Sequence, residues 1–299
     1  MQHWAAQKGN VEACKAILKV SRPRLDVEAK GQYGMTALHF AVWGESAKLC
    51  ALLITEGGAR ANAKEQNGMT PFLWAAEKGY TDVCRELIAL TSAATVSTRG
   101  PYNKLPLHFA AAKGHVSTCT LLLEHSTEVD ATDEGGATAL HWAAQKNQAD
   151  VCRLLLEKGA DVSLADNNGM TPLFWAVAHN NIEACSAILE KSEPEMLALG
   201  PDRKNALSWA AEMGHAEICA SLITIGGANV HIVDEQDDTA LHLAARSGHS
   251  LTCALLLEKG ADMRALNNEG LTPLDVAGKS KQTTAYALLL GKFEDAFNG

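Results

Sequence analysis

No stretch of 18 or more apolar residues occurs in this 299-residue chain, so no segment reads as a membrane-spanning helix. Positive charge is in deficit: 26 Lys plus Arg stand against 35 Asp plus Glu, a formal net charge of -9. Nucleic acid and anionic membrane both select for basic surface, so this balance argues against either as the main partner. The opening residues Met1, Gln2, His3 and Trp4 show neither a basic stretch nor an apolar core, so no signal peptide is read there. The expectation is an intracellular protein in the cytoplasm, with the nucleus as the alternative. Catalytic signatures are missing too. There is no nucleophile–base–acid order, no Gly-rich phosphate loop after a strand and no His-Glu-x-x-His. The stretch Gly100-Pro-Tyr-Asn-Lys lacks the geometry of a phosphate loop. The chain is therefore expected not to be an enzyme and to need no cofactor and no metal. Aromatic residues make up only 5%, but hydrophobic residues reach 47%, enough for a sizeable core.

What the sequence has in abundance is repetition, the first feature to seek because it decides the architecture. The strings run Thr36-Ala-Leu-His-Phe-Ala, Thr70-Pro-Phe-Leu-Trp-Ala, Leu105-Pro-Leu-His-Phe-Ala and Thr138-Ala-Leu-His-Trp-Ala. They continue as Thr171-Pro-Leu-Phe-Trp-Ala, Asn205-Ala-Leu-Ser-Trp-Ala, Thr239-Ala-Leu-His-Leu-Ala and Thr272-Pro-Leu-Asp-Val-Ala. Successive starts lie 33 to 35 residues apart, and His3-Trp-Ala-Ala is the end of one more copy. About nine units result, the first (1–35) truncated and the others opening at 36, 70, 105, 138, 171, 205, 239 and 272. Thr sits where an N-cap belongs, and Pro71, Pro106, Pro172 and Pro273 take the first helical position. Gly9, Gly79, Gly114, Gly214 or Gly248 ends the first helix, and a second follows at once. Polar pairs such as Asn67-Gly68 then turn the chain into the next unit. One such helix pair buries too little by itself; stacked pairs share a core. Irregular loops at Gly100-Pro101 and Gly200-Pro201, 100 residues apart, point to a copied three-unit block and to altered hairpins at those places.

With these strings, the chain resembles the ankyrin-repeat family. The resemblance also rests on the lead-ins Gly58-Ala-Arg-Ala-Asn-Ala, Gly159-Ala-Asp-Val-Ser-Leu, Gly227-Ala-Asn-Val-His-Ile and Gly260-Ala-Asp-Met-Arg-Ala. It implies an all-α solenoid of stacked helix-turn-helix units with protruding hairpin loops, spanning 1–299 as a single domain. It implies a protein-binding role on the concave face and no shared chemistry. The opening His of His3, His39, His108, His141 and His242 is then a structural residue tying one unit to the next.

Eight Cys invite a disulfide or metal reading, but each of Cys14, Cys50, Cys84, Cys119, Cys152, Cys185, Cys219 and Cys253 lies fourteen residues after its unit's opening position. Neighbouring copies should stand about 8–10 Å apart. A disulfide needs Cα atoms within ~7 Å. A ladder of buried, reduced thiols is expected. Trp4, Trp74, Trp142, Trp175 and Trp209, with Phe40 and Phe109, share one slot four residues after the opening and are expected to form a core stack. Trp43 lies three residues further on and is a candidate binding anchor, with packing on the next unit as the alternative.

The remaining candidate binding residues are loop tips and first-helix ends. The tips are Glu65, Gln66 and Asn67; Asp133 and Glu134; Asp166 and Asn167; and Asp234, Glu235, Asp237 and Asp238. The helix ends are Glu77 and Lys78, Lys113, Lys146, His179, Met213 and Arg246. The tips are expected to take a protein partner with a basic or mixed-charge segment, not nucleic acid, and with no direct membrane insertion. Three functions compete: a free-standing scaffold or adaptor; a regulatory or targeting module of a larger protein whose catalytic or membrane part lies outside this chain; and a structural spacer. Varied tips disfavour the spacer. The chain begins inside a first helix, so its N-terminal edge is expected to be the weakest part. The protein is expected to be monomeric apart from association at that edge.

Overall fold

The computed structural model describes residues 10–21, 26–126, 128–191 and 204–298. The expectations for His3, Trp4, Gly9 and the Gly200-Pro201 loop lie outside the described residues. So does part of the stretch on which the weak N-terminal edge would be judged, residues 1–9.

Every complete repeat forms the expected helix pair. The pairs are α2 (Ala37–Trp43) with α3 (Ala47–Thr55), α4 (Pro71–Lys78) with α5 (Thr81–Thr91), α6 (Pro106–Lys113) with α7 (Val116–Glu124), and α8 (Ala139–Gln145) with α9 (Ala149–Glu157). The series continues with α10 (Pro172–Ala178) and α11 (Ile182–Leu189), α12 (Ala206–Glu212) and α13 (Ala216–Thr224), α14 (Ala240–Ser247) and α15 (Ser250–Glu258), and α16 (Pro273–Lys279) and α17 (Thr283–Asn298). Helix α1 (Val11–Ser21) precedes them. Among the described residues there is no β-strand beyond one isolated antiparallel bridge, Val233 to Thr239. None of the described helices is long and apolar enough to cross a membrane.

The backbone groups into two compact units. The first comprises Met1–Ala143 with Glu157–Ala160; the second comprises Ala144–Leu156 with Asp161–Gly299. In the first unit, first helices stack as α2, α4, α6, and second helices as α1, α3, α5, α7. In the second, first helices stack as α10, α12, α14, α16, and second helices as α11, α13, α15, α17.

Local chemistry explains the elements. The Thr70 hydroxyl accepts from Leu73 N at 3.2 Å, and the Asn205 side chain accepts from Ser208 N at 2.8 Å, satisfying amides that a helix start leaves unpaired. Nine residues after each opening the backbone turns left-handed. Gly79, Gly114, Gly214 and Gly248 hold four of these sites, but Glu45, Asn147, Asn180 and Lys281 hold the others with φ near +55°. The Gly100-Pro101 loop is altered as expected: it folds as a 3-10 turn over Pro101–Asn103.

All eight cysteines are buried with free thiols. Burial pushes the thiols of Cys50, Cys84, Cys119, Cys152, Cys185, Cys219 and Cys253 up to about 12, far from the reactive thiolate.

Candidate functional site

Five of the described loops are built by a side chain five residues before the opening that follows. Asp133 Oδ1 accepts from Gly135 N at 2.9 Å and Ala137 N at 3.0 Å. Asp166 does the same for Asn168 and Met170, Asp234 for Gln236 and Asp238, Glu65 for Asn67 and Met69, and Asn267 for Glu269 and Leu271. One backbone bond then ties a loop to the next: Gln66 N donates to Tyr33 O, Glu134 N to Tyr102 O, and Asn268 N to Gln236 O.

This geometry corrects part of the sequence reading. Glu65, Asp133, Asp166 and Asp238 are not exposed tips; all four are buried, at 8% exposure or less. Their carboxylates are engaged internally, because a tight loop buries amides that need acceptors. Asp238 accepts from Arg246 and from Asn267 Nδ2 at 2.9 Å, so Arg246 is held as well. Asp234 is half-buried at the base of its loop. The true tips are Gln66, Asn67, Glu134, Asn167, Glu235 and Asp237, all exposed. Lys78, Lys113, Lys146, His179 and Met213 are exposed at the first-helix ends, and Glu77 is half-buried.

The aromatic slot is a second correction. Trp74, Phe109, Trp142, Trp175 and Trp209 are half-buried rather than core; among the described rings of this slot only Phe40 is buried. The rings of Trp142 and Trp175 lie between the first helix and the base of their own loop. Trp142 Nε1 donates to Asp133 Oδ2 at 2.9 Å and Trp175 Nε1 to Asp166 Oδ2 at 3.0 Å. An indole has an apolar body and one donor, and this rim position suits both.

In the first unit these rings form a platform. Trp43 is 49% exposed. Its ring stacks on Phe40 at 6.4 Å and tilts against Trp74 at 5.9 Å, so it also packs on the next repeat as the alternative reading had it. Lys78 Nζ stands 6.0 Å from the Trp74 ring, and Lys104 Nζ stands 3.4 Å from the Trp142 ring. Two tyrosines were missed by the sequence reading. Tyr33 and Tyr102 are 59% and 72% exposed at loop tips where other loops carry Asn-Gly or acidic residues. The signal was present as Gly31-Gln-Tyr-Gly and Gly100-Pro-Tyr-Asn, which replace the capping acid with Gly and put Tyr at left-handed φ of 58° and 54°.

The opening His residues have the expected structural role. His39 Nε2 bonds Met69 O at 3.2 Å, His108 Nε2 bonds Ala137 O at 3.1 Å, and His242 Nε2 bonds Leu271 O at 3.1 Å, each in the following loop. A second set reaches backward: His115 Nε2 bonds Glu77 O and His249 Nε2 bonds Glu212 O. Among the described residues no group of three or more His, Cys, Asp or Glu is placed to hold a metal ion.

A family model described as ankyrin repeats (3 copies) matches residues 2–99, 44–133, 90–166, 107–198, 162–234 and 207–297. Among curated proteins, inversin of Gallus gallus is 44% identical over 64 residues, 21% of this chain and 6% of its own length. Neurogenic locus notch homolog protein 1 of Xenopus laevis is 33% identical over 128 residues, 43% of this chain and 5% of its own length. Ankyrin repeat-containing protein ITN1 of Arabidopsis thaliana is 28% identical over 130 residues, 44% of this chain and 20% of its own length. The matched stretch thus spans no more than 20% of any of these three relatives.

Proposed function

The chain belongs to the ankyrin-repeat family, and from that premise we propose that it is a scaffold or adaptor whose loop-and-first-helix surface takes a basic or mixed-charge segment of a partner protein. Ankyrin repeats are non-catalytic and serve protein–protein interaction in general. The observation that supports this reading here is Trp43, a half-exposed indole held in place by Phe40 and Trp74. Interface anchors are typically rigid aromatics that lose little side-chain entropy on binding. The exposed carboxylates of Glu134, Glu235 and Asp237 and the net charge of -9 favour a basic segment. A second reading, a regulatory or targeting module of a larger protein, is favoured by the small share of each relative that the chain matches. Eight buried thiols suit a reducing compartment, and we assign the cytoplasm, with the nucleus as the alternative.

The test is site-specific photocrosslinking in cells. A crosslinking residue at Gln66 should capture a partner protein, whereas one at Ser117, on the second helix α7 of the same unit, should not. Trp43→Ala should weaken the captured complex about tenfold or more, and rising salt should weaken it further. Equal capture from Gln66 and Ser117, or a complex indifferent to Trp43→Ala, would refute this.

A further inference from the structure

Two neighbouring loops of the second unit depart from the others at one position. The residue just before the loop-capping side chain is Lys64, Thr132 or Ala165 in the loops capped by Glu65, Asp133 and Asp166. Before Asp234 and Asn267 it is Val233 and Leu266, which are 44% and 62% exposed. Ile232 adds a third aliphatic side chain at 45% exposure. Val233 and Leu266 hold the same register of successive loops, with Ile232 beside Val233 in the chain; together they make a strip of exposed aliphatic residues, and clustered exposed apolar side chains mark an interaction site.

The strip is held rigidly. Asp234 caps its loop from within, a bridge joins Val233 to Thr239, and Asn267 caps the next loop. The two loops are tied to each other by Asn268 N donating to Gln236 O and by Asn267 Nδ2 donating to Asp238 Oδ1. A fixed platform loses little entropy when something docks on it.

The surroundings of the strip select its occupant. Four of the five residues from Asp234 to Asp238 are acidic. Asp234 and Asp238 accept hydrogen bonds within the loops, and Glu235 and Asp237 are exposed. Glu269 lies in the adjoining loop, paired with Lys279. Carboxylates beside apolar groups repel anionic lipid headgroups and phosphate backbones. They attract Lys or Arg.

We propose that the loops around Val233 and Leu266 are a docking site for a short extended segment of a partner protein, with aliphatic side chains laid on Ile232, Val233 and Leu266 and Lys or Arg side chains set against Glu235 and Asp237. This rests on the protein-binding reading above and adds a second surface, apart from the Trp43 platform, with its own chemistry.

The test uses the full chain immobilised for selection from random displayed peptides, followed by fluorescence anisotropy with the selected peptides. They should combine aliphatic residues with Lys or Arg. Val233→Lys together with Leu266→Thr should weaken them about tenfold or more. Both replacements copy what the corresponding loops already carry at Lys64 and Thr132, so the loops should fold; thermal unfolding checks this. Glu235→Gln with Asp237→Asn should weaken binding and flatten its salt dependence. Trp43→Ala should leave it unchanged. Peptides without basic residues, or unchanged affinity in the Val233/Leu266 double variant, would overturn the inference. Sensitivity to Trp43→Ala alone would overturn it while leaving the protein-binding reading standing. No peptide binding at all would count against both.

Discussion

A carboxylate and an indole nine residues apart show how single residues set this surface. In Asp133–Trp142 and Asp166–Trp175 the second carboxylate oxygen accepts the indole N–H. Glu65 and Trp74 keep the spacing, but Trp74 Nε1 is left buried with no partner. Asp234 has Leu243 in the aromatic slot, and its Oδ2 is likewise left without one. A buried polar atom that loses its partner costs about 1–3 kcal/mol, more when charged. Trp142→Phe should therefore destabilise by roughly that amount, since it strands the Asp133 oxygen, while Trp74→Phe strands nothing and should cost less than ~1 kcal/mol. Urea denaturation of the two variants checks the contrast; equal losses would mean that the indole bond contributes nothing. The Asp–Trp pairs were visible in the sequence as a fixed spacing. They were read as an exposed acid and a core ring because periodicity shows which residues share a slot, not how deep the slot lies.

At the level of the helix, the opening His does two jobs at once. His39 and His108 accept a backbone amide at Nδ1, from Thr36 N at 3.2 Å and Leu105 N at 3.1 Å, and His242 accepts from Thr239 N at 3.1 Å. Each donates from Nε2 to the next loop, so only the neutral ring fits. Burial holds all three below the usual histidine range, His108 at about 4. A base whose pKa is lower folded than unfolded is protonated preferentially in the unfolded chain. Stability from these rings is thus full above pH ~6.5 and falls as pH drops toward about 4, where His108 itself protonates. For His108 alone the loss amounts to roughly 3 kcal/mol. Denaturation at pH 7 and pH 5 should show a lower midpoint at pH 5. His108→Ser, which copies the Ser208 of another repeat, should shrink that difference; an unchanged difference would assign the acid sensitivity elsewhere. The Thr-x-x-His opening and its cap are legible in the residue pattern. The carbonyl that Nε2 reaches lies 29 or 30 residues on, and only the resemblance announced it. The helix stops were mostly legible: Gly79, Gly114, Gly214 and Gly248 announce themselves, Asn147 and Asn180 carry the weaker Asn signal, and Glu45 and Lys281 do the same work without one.

On the scale of the whole molecule, the bonds joining one repeat to another span about one repeat. His39 to Met69, His115 to Glu77, Asn181 to Ala144 and His249 to Glu212 are 30, 38, 37 and 37 residues apart. The helix pairs and the buried Cys register were legible in the sequence, because each is a local pattern repeated. The proposed binding surface was less so: its aromatic platform and aliphatic strip depend on exposure, which periodicity does not report. A chain held by neighbour contacts has a stability that is a sum of repeat and neighbour terms, so damage should stay local. Gly214 offers a clean lesion. It sits at φ +77°, and a Cβ there would meet His249 Nδ1 at 2.5 Å, so Gly214→Ala must displace the ring that bonds Glu212 O. Amide hydrogen exchange of this variant should quicken in α12, α13, α14 and α15, the two repeats that the His249 ring joins. Protection in α4 and α5 should stay at the parent level, because several neighbour terms separate them from the lesion. Equal loss of protection in all of these helices would mean that the chain unfolds as one cooperative body, and the local account of its stability would fall.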